Sequence, residues 1–291
     1  MTEFLHKPVL LKETIEHLIT KKDGIYVDCT SGLGGHSQAI LDNIDPQSRL
    51  IAIDRDAESK NFLSERLNKY NNWVFAKDNF ININTVLNSI DITGVDGVLL
   101  DLGISSYQID NPERGFSFNS ECLDMRMDRD GDCPSAKDLV NSLKTESLEK
   151  IIKEFGEDYK ARRIADSIIR ARSRKTIESA VELAEIIEKA IGRRERIHPA
   201  TRTFQALRIA VNNELENEEK GLNEAIKALN PQGRVVVISF HSLEDRIAKY
   251  IFKNSEQVKI ITKKPIIAQD EERKENPRSR SAKLRVAEKI V

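Results

Sequence analysis

Cysteine is scarce in this sequence. Only Cys29, Cys122 and Cys133 occur, far apart from one another. An odd, scattered set builds no disulfide framework and fits a reducing compartment. No Cys-x-x-Cys or His-x-x-x-His spacing is present, which argues against a zinc site. There is also no apolar run long enough for a bilayer. The segment up to Leu18 is amphipathic and broken by charges, so neither a signal peptide nor a membrane span is expected, and the expected location is cytoplasmic. Internal repeats and low-complexity tracts are missing. The formal net charge of −1 excludes a basic field over the whole protein.

What the chain does have is charge and length. Its 291 residues suit one large or two modest domains, and 39% hydrophobic with 32% charged residues describe a soluble globular protein. The charge is uneven. Residues 158–208 hold 13 Lys and Arg against 7 Asp and Glu, and residues 263–285 hold 8 against 4. Positive patches on a near-neutral protein are compatible with nucleic acid, although solvated helix faces with i, i+4 pairs give the same count.

Strand-like runs at 25–29, 50–54, 73–76 and 95–100 alternate with helical runs near 35–43, 57–70 and 81–90. A helix over 7–19, with Pro8 near its start, precedes them. This alternation predicts an α/β fold: a mainly parallel, Rossmann-like sheet with helices on both faces and ligands at the carboxyl ends of its strands. Asp28, Asp54, Asp78 and Asp101 all fall at such ends. From about 111 to 212 only helices are expected, at 135–143, 147–155, 159–173, 177–191 and 201–216. A further strand at 234–240 follows the turn Asn230-Pro231-Gln232-Gly233. An all-helical domain, 111–212, is therefore inserted into a discontinuous α/β domain, 1–110 with 213–291. Two final runs, 258–261 and 284–288, suit an antiparallel pair closing the sheet edge.

The most informative stretch is Asp28-Cys29-Thr30-Ser31-Gly32-Leu33-Gly34-Gly35-His36, a strand-to-helix turn. Glycines allow close backbone approach to a ligand, and the helix start offers free N–H groups. Asp54, 22 residues after Gly32, is placed to accept ribose hydroxyls. The third glycine of the dinucleotide pattern is replaced by Ser37, which favours a cofactor without pyrophosphate, such as S-adenosylmethionine. Asp78-Asn79-Phe80 follows the third strand, where an aromatic commonly meets adenine. Asp101, in Leu100-Asp101-Leu102-Gly103, closes the fourth strand as a candidate floor of the reaction site. Ser105 is a second candidate there, or a helix cap. The Asp/Asn-Pro-Pro-aromatic motif of many amino-group methyltransferases is missing at this point. A base-stacking ring would have to come from Tyr107, Phe116, Phe118 or Phe240. Residues 114–118 and 123–128 read either as a clamp or as a junction of buried ion pairs. His241 ends the fifth strand and is a third catalytic candidate. Ser242 with Asp245 resembles a capping box, and Glu244 and Asp245 are not expected to share a face with His241, so no metal site is expected.

Taken together, several motifs resemble the bacterial 16S rRNA (cytosine-N4)-methyltransferase family, also called MraW. They are His6-Lys7-Pro8-Val9-Leu10-Leu11, the Gly32–His36 turn, Leu100–Gly103, Arg114-Gly115-Phe116-Ser117-Phe118, 123–128, 198–205, 239–246 and Glu275-Asn276-Pro277-Arg278-Ser279-Arg280. The resemblance is collinear and spans nearly the whole chain. It implies methyl transfer from S-adenosylmethionine to a cytosine in the decoding region of 16S rRNA. It also implies cofactor contacts at Gly34, Gly35, His36, Asp54, Phe80, Asp101 and Gln108. Cys29 stands where glycine is usual and Tyr107 where proline is usual. The expected partner is 16S rRNA within the small ribosomal subunit, with Arg162, Arg163, Arg170, Arg202 and Arg208 as candidate phosphate contacts. A homodimer is allowed and a membrane is not expected. Three other readings stay open: a DNA or adenine methyltransferase, a nicotinamide dehydrogenase, and a non-catalytic ribosome-assembly factor.

Overall fold

A computed structural model describes residues 7–192 and 198–290; His6 of the first motif lies outside them. The chain divides into two compact units, Met1–Gly103 with Leu215–Val291, and Ile104–Glu214. The first unit holds α1 (Leu11–Leu18), β1 (Ile25–Asp28), α2 (Gly35–Asn43), β2 (Arg49–Asp54), α3 (Ser59–Arg66), β3 (Trp73–Lys77), α4 (Ile83–Asn88) and β4 (Val95–Asp101). The second holds α5 (Ser106–Asp110), α6 (Ala136–Ser142), α7 (Thr145–Gly156), α8 (Ala161–Arg172), α9 (Ala180–Ile191) and α10 (Thr201–Asn212). The chain then returns to the first unit as α11 (Glu214–Ala228), β5 (Leu229–Ser239), α12 (Ser242–Asn254), β6 (Val258–Ile260), α13 (Asp270–Glu275) and β7 (Lys283–Lys289).

The sheet order is β3-β2-β1-β4-β5-β7-β6. β1 to β5 are parallel, and β7 runs antiparallel between β5 and β6. This is the expected Rossmann-like sheet with an antiparallel closure. Alternating side chains separate two cores, because successive residues point to opposite faces of a strand. Val27, Ile51, Val98 and Val235 pack with Val86, Leu222 and Phe252 on one face. Tyr26, Leu50, Leu99 and Val236 pack with Leu18, Ile40 and Leu63 on the other.

Two local expectations shift. The first helix starts at Leu11 instead of residue 7, because Leu10 is left-handed (φ 52°) and donates its N–H to Glu272 Oε1 at 2.8 Å. The expected turn at 230–233 lies inside β5 as a bulge: Val95 pairs with Leu229, but Gly97 already pairs with Arg234.

The helical unit has its own core, including Leu139, Leu148, Ile164, Ile168, Leu183, Phe204 and Leu207. Ser105 and Ser135 form capping boxes with Gln108 and Asp138, and Ser179 caps α9. Residues 114–118 and 123–128 pack within the helical unit. Arg114 is 1% exposed and donates to the carbonyls of Arg126 and Met127, while Arg126 meets the Asp124 carboxylate through two nitrogens at 2.8 and 3.0 Å. Phe116, Leu123, Met125 and Met127 enter the core beside them.

At the end of β5, Asp245 of α12 accepts from Arg285 Nε at 2.7 Å and Lys283 Nζ at 3.0 Å, both on β7. Burial alone would raise the Asp245 pKa, but Arg285 and Lys283 outweigh it and hold the carboxyl below its ordinary range. Such a group stabilises the fold above its unfolded pKa and loses that contribution as pH falls through its lower folded value. Asp245→Ala leaves Arg285 buried without its carboxylate and is expected to cost about 3 kcal/mol in urea denaturation at pH 7. The difference from the wild type should shrink as the pH is taken below about 4.

Candidate functional site

The glycine turn joins β1 to α2. Gly32 and Gly34 have positive φ, 46° and 76°. The N-cap of α2 is Gly34, so no side chain caps the first turn. The two adjacent glycines also serve packing. A Cβ on Gly35 would lie 2.4 Å from Pro8 Cγ, and one on Gly34 would lie 2.9 Å from Leu63 Cδ2. The turn is thus pressed from behind by the first motif and by α3, a role that spacing alone did not reveal.

Asp54, at the end of β2, is tied to this turn. Its Oδ2 accepts the Gly32 N–H at 2.7 Å and its Oδ1 accepts the Asp56 N–H at 2.8 Å. Burial is the main cause that pushes its pKa up to about 6. Each oxygen keeps a lone pair for a ribose hydroxyl.

Phe80 opens the helical segment after β3, behind Asn79, whose Oδ1 accepts from the Ile81 N–H. The ring presses against α11: a Cβ on Gly221 would fall 2.2 Å from Phe80 Cδ2 and 2.4 Å from its Cε2. Asn84 Nδ2 donates to Glu224 Oε2 at 2.7 Å and so fixes α4 against α11 at the same level.

Asp101 ends β4. Its N–H donates to Thr30 Oγ1 at 2.7 Å. His36 Nε2 lies 3.4 Å from Asp101 Oδ2, close but not aligned as a hydrogen bond. Asp28 sits beneath, 1% exposed, accepting from Ser37 Oγ at 2.6 Å, and burial raises its pKa. Burial opposes charge on His36 as well, but Asp101, with Asp28 and Glu272, outweighs it and raises the imidazole pKa. His36 Nδ1, His36 Nε2 and Asp101 Oδ1 are buried without a hydrogen-bond partner among the described residues. Unpaired buried polar atoms are costly, and three of them collect beside the glycine turn. With the uncapped α2 start and the Asp54 carboxylate, they fit a ribose-bearing cofactor. Thr30, Ser37, Asp28 and Glu272 belong to this cluster. Sequence reading did not assign them, and only the strand-end position of Asp28 hinted at it. A separate groove of about 490 Å³ runs between Pro8, Leu11 and Glu272; Asp54, Phe80 and Asp101 do not line it.

Other expected residues stand elsewhere. His241, not Ser242, is the N-cap of α12: its Nδ1 accepts the Glu244 N–H and its Nε2 lies 3.0 Å from Glu244 Oε1. The two side chains therefore do share a face, because the cap lies outside the helix and its ring folds back over the first turn. His241 is engaged as a cap, not presented as a free catalytic base. In the helical unit, Ser105 Oγ and the Gln108 side chain satisfy each other's backbone N–H groups. Arg208 is bound through two nitrogens to Glu214 at 2.9 and 2.7 Å, which spends it as a phosphate ligand. Arg162 pairs with Glu149 and Asp166. Arg163 and Arg170 stand exposed on α8, and Arg202 Nη1 donates to the Glu157 carbonyl. Among the aromatic candidates, Phe118 is stacked on His198 at 4.3 Å and edge-on to Phe204.

Gly221→Ala tests whether Phe80 seats adenine. Alanine suits a helix better than glycine, so α11 should persist, while the Phe80 ring must move. The expected result is a nearly unchanged melting temperature with cofactor affinity about tenfold weaker by calorimetric titration, the size of one lost stacking contact. Unchanged affinity would remove Phe80 from the site.

Known proteins resemble this chain over nearly its whole length. A ribosomal RNA small subunit methyltransferase H from Clostridium botulinum (strain Kyoto / Type A2) is 47% identical, covering 99% of this chain and 100% of the relative. One from Halothermothrix orenii is 46% identical over 98% and 99%. Among solved structures, an rRNA methylase from Streptococcus thermophilus is similar at TM-score 0.46 and 10% identity, covering 97% of this chain and 94% of the other. The model of the MraW methylase family matches residues 3–290, and the chain belongs to that family.

Proposed function

We propose that the protein transfers a methyl group from S-adenosylmethionine to the exocyclic N4 amino group of a cytosine in the decoding region of 16S rRNA, within the small ribosomal subunit, in the cytoplasm. One observation carries this reading: a His36–Asp101 pair with three buried polar atoms lacking hydrogen-bond partners stands beside the glycine turn in a member of the MraW methylase family. The relatives' names supply the substrate class, small-subunit rRNA.

When bound, S-adenosylmethionine supplies an electrophilic methyl group, so the reaction asks for no metal. The obstacle is the nucleophile, whose lone pair is delocalised into the pyrimidine ring. The protein contributes alignment of nitrogen and methyl and acceptors for the amino hydrogens as positive charge grows on N4. Asp54 would hold the ribose, Phe80 the adenine, and the backbone at Gly34, Gly35 and His36 the aminoacyl end. Asp101 would face the target amino group. A base in folded RNA must be unstacked to reach it. The helical unit would serve substrate recognition, with Arg163, Arg170 and Arg202 as its phosphate contacts. A second copy of the chain stays an allowed partner. Among the described residues, no helix is long and apolar enough to cross a membrane.

The decisive experiment is labelled-methyl transfer to small subunits that lack the modification, followed by nucleoside identification. N4-methylcytidine is expected; methylated adenosine, or transfer to DNA alone, would overturn the reading. The Asp54 role predicts a pH dependence of its own. Above its pKa of about 6 the carboxylate accepts both ribose hydroxyls, and below it the proton removes an acceptor. S-adenosylmethionine affinity should therefore be about tenfold weaker at pH 5 than at pH 8, since one coupled proton changes binding at most tenfold per pH unit. In Asp54→Asn the affinity should be weak and flat over that range.

A further inference from the structure

Leu10 is 0% exposed and stands in the left-handed region, φ 52° and ψ 38°. A leucine holds that conformation only where its surroundings enforce it. Its N–H lies ahead of α1 and donates to Glu272 Oε1 of α13 at 2.8 Å, across 262 positions of sequence. The Leu10 carbonyl accepts from the Thr14 N–H and from Thr14 Oγ1, both at 2.8 Å, so the bend is fixed on both sides. Two residues earlier, Pro8 presses on the glycine turn: a Cβ on Gly35 would lie 2.4 Å from its Cγ and 3.3 Å from its Cδ. The glycine turn thus leans on Pro8, and the segment that carries Pro8 is pinned at Leu10 by the Glu272 carboxylate.

Other ties between this segment and the end of α13 are weaker. Lys7 Nζ meets Glu275 Oε2 at 2.6 Å, but both side chains are 64% exposed, and exposed pairs contribute little. Asn276 Nδ2 donates to the Lys7 carbonyl at 3.0 Å, also at the surface. The Glu272 bond joins a carboxylate to the backbone N–H of a buried residue, which is the stronger kind. We propose that Glu272 is a positioning residue for the cofactor: through the Leu10 N–H it holds Pro8 against Gly35 and so presets the glycine turn for S-adenosylmethionine. This rests on the reading that places the aminoacyl end of the cofactor at Gly34, Gly35 and His36. A turn already held in its bound shape loses less freedom when the ligand arrives.

Glu272 also lies within electrostatic reach of the first turn of α2. Burial lowers the His36 pKa, and Asp101, Asp28 and Glu272 together outweigh it. Away from Leu10, Glu272 lines the groove of about 490 Å³ beside Pro8 and Leu11. A shorter side chain at this position widens that groove and leaves no hole in the core, so the fold should survive the substitution.

Calorimetric titration with S-adenosylmethionine, and amide hydrogen exchange of the ligand-free protein, test this. In Glu272→Ala the amides of Leu10 and of Gly34, whose N–H donates to the Ser31 carbonyl at 2.7 Å, should exchange faster. Its cofactor affinity should be about tenfold weaker, within the range usual for coupling between separated groups. Glu272→Gln retains an acceptor for the Leu10 N–H and should restore most of the protection and of the affinity. Pro8→Ala should weaken binding to a similar degree while Leu10 stays protected. The double variant should bind no more weakly than the weaker single one, because both substitutions act through one contact. Additive losses, or wild-type affinity in Pro8→Ala, would overturn the proposal. So would a Glu272→Ala protein that melts lower yet binds as the wild type does. Should Glu272→Ala not fold, the affinity of Pro8→Ala decides alone. A wild type whose Gly34 and His36 amide NMR signals ignore S-adenosylmethionine would instead sink the placement of the cofactor, an outcome read separately from the variants.

Discussion

The parallel register between β1 and β4 is the constraint on which the site depends. Asp28 pairs with Leu99, the Cys29 N–H donates to the Leu99 carbonyl at 2.9 Å, and the Asp101 N–H then reaches Thr30 Oγ1. That ladder sets Asp101 level with the glycine turn and brings its carboxyl to His36. A slip of one residue would send Asp101 to the opposite face of the sheet and bring Leu100 or Leu102 into its place. The register is enforced from both sides, since Val27 and Val98 pack in one core while Tyr26 and Leu99 pack in the other. Core packing and site geometry are here the same requirement.

The sheet and the cofactor end were legible in the sequence for a local reason. Buried parallel strands are short apolar runs, and the offset from Gly32 to Asp54 is one helix plus one strand, so it can be counted along the chain. The β5 bulge, the His36–Asp101 pair and the Phe80–Gly221 contact were not legible, because each depends on residues brought together from far apart. The glycines were half legible. Their number pointed to a ligand, yet the side chains a Cβ would strike are Pro8 and Leu63. His241 was misread for a different reason. Serine is the usual cap, so Ser242 attracted the assignment, whereas the imidazole one residue earlier satisfies the Glu244 N–H.

Charge counts illustrate how much tertiary pairing changes a reading. The positive excess over 158–208 is real, but Arg208 and Arg162 are spent on Glu214, Glu149 and Asp166. An arginine held by two hydrogen bonds to one carboxylate offers little to a phosphate without first breaking a charge-assisted pair. The exposed Arg163 and Arg170 carry no such partner cost in the contacts described. Recognition of RNA through the helical unit would therefore rest on fewer cations than the sequence counts.

Satisfied and unsatisfied charges are distributed with some logic in the α/β unit. Asp245 is closed on Arg285 and Lys283, Arg234 on Glu288, and Lys21 on Asp96. At the carboxyl ends of β1 and β4, by contrast, His36 and Asp101 leave three buried polar atoms unpaired, each worth about 1–3 kcal/mol of lost solvation. Under the proposed function a bound cofactor would complete these atoms, and binding would offset their cost.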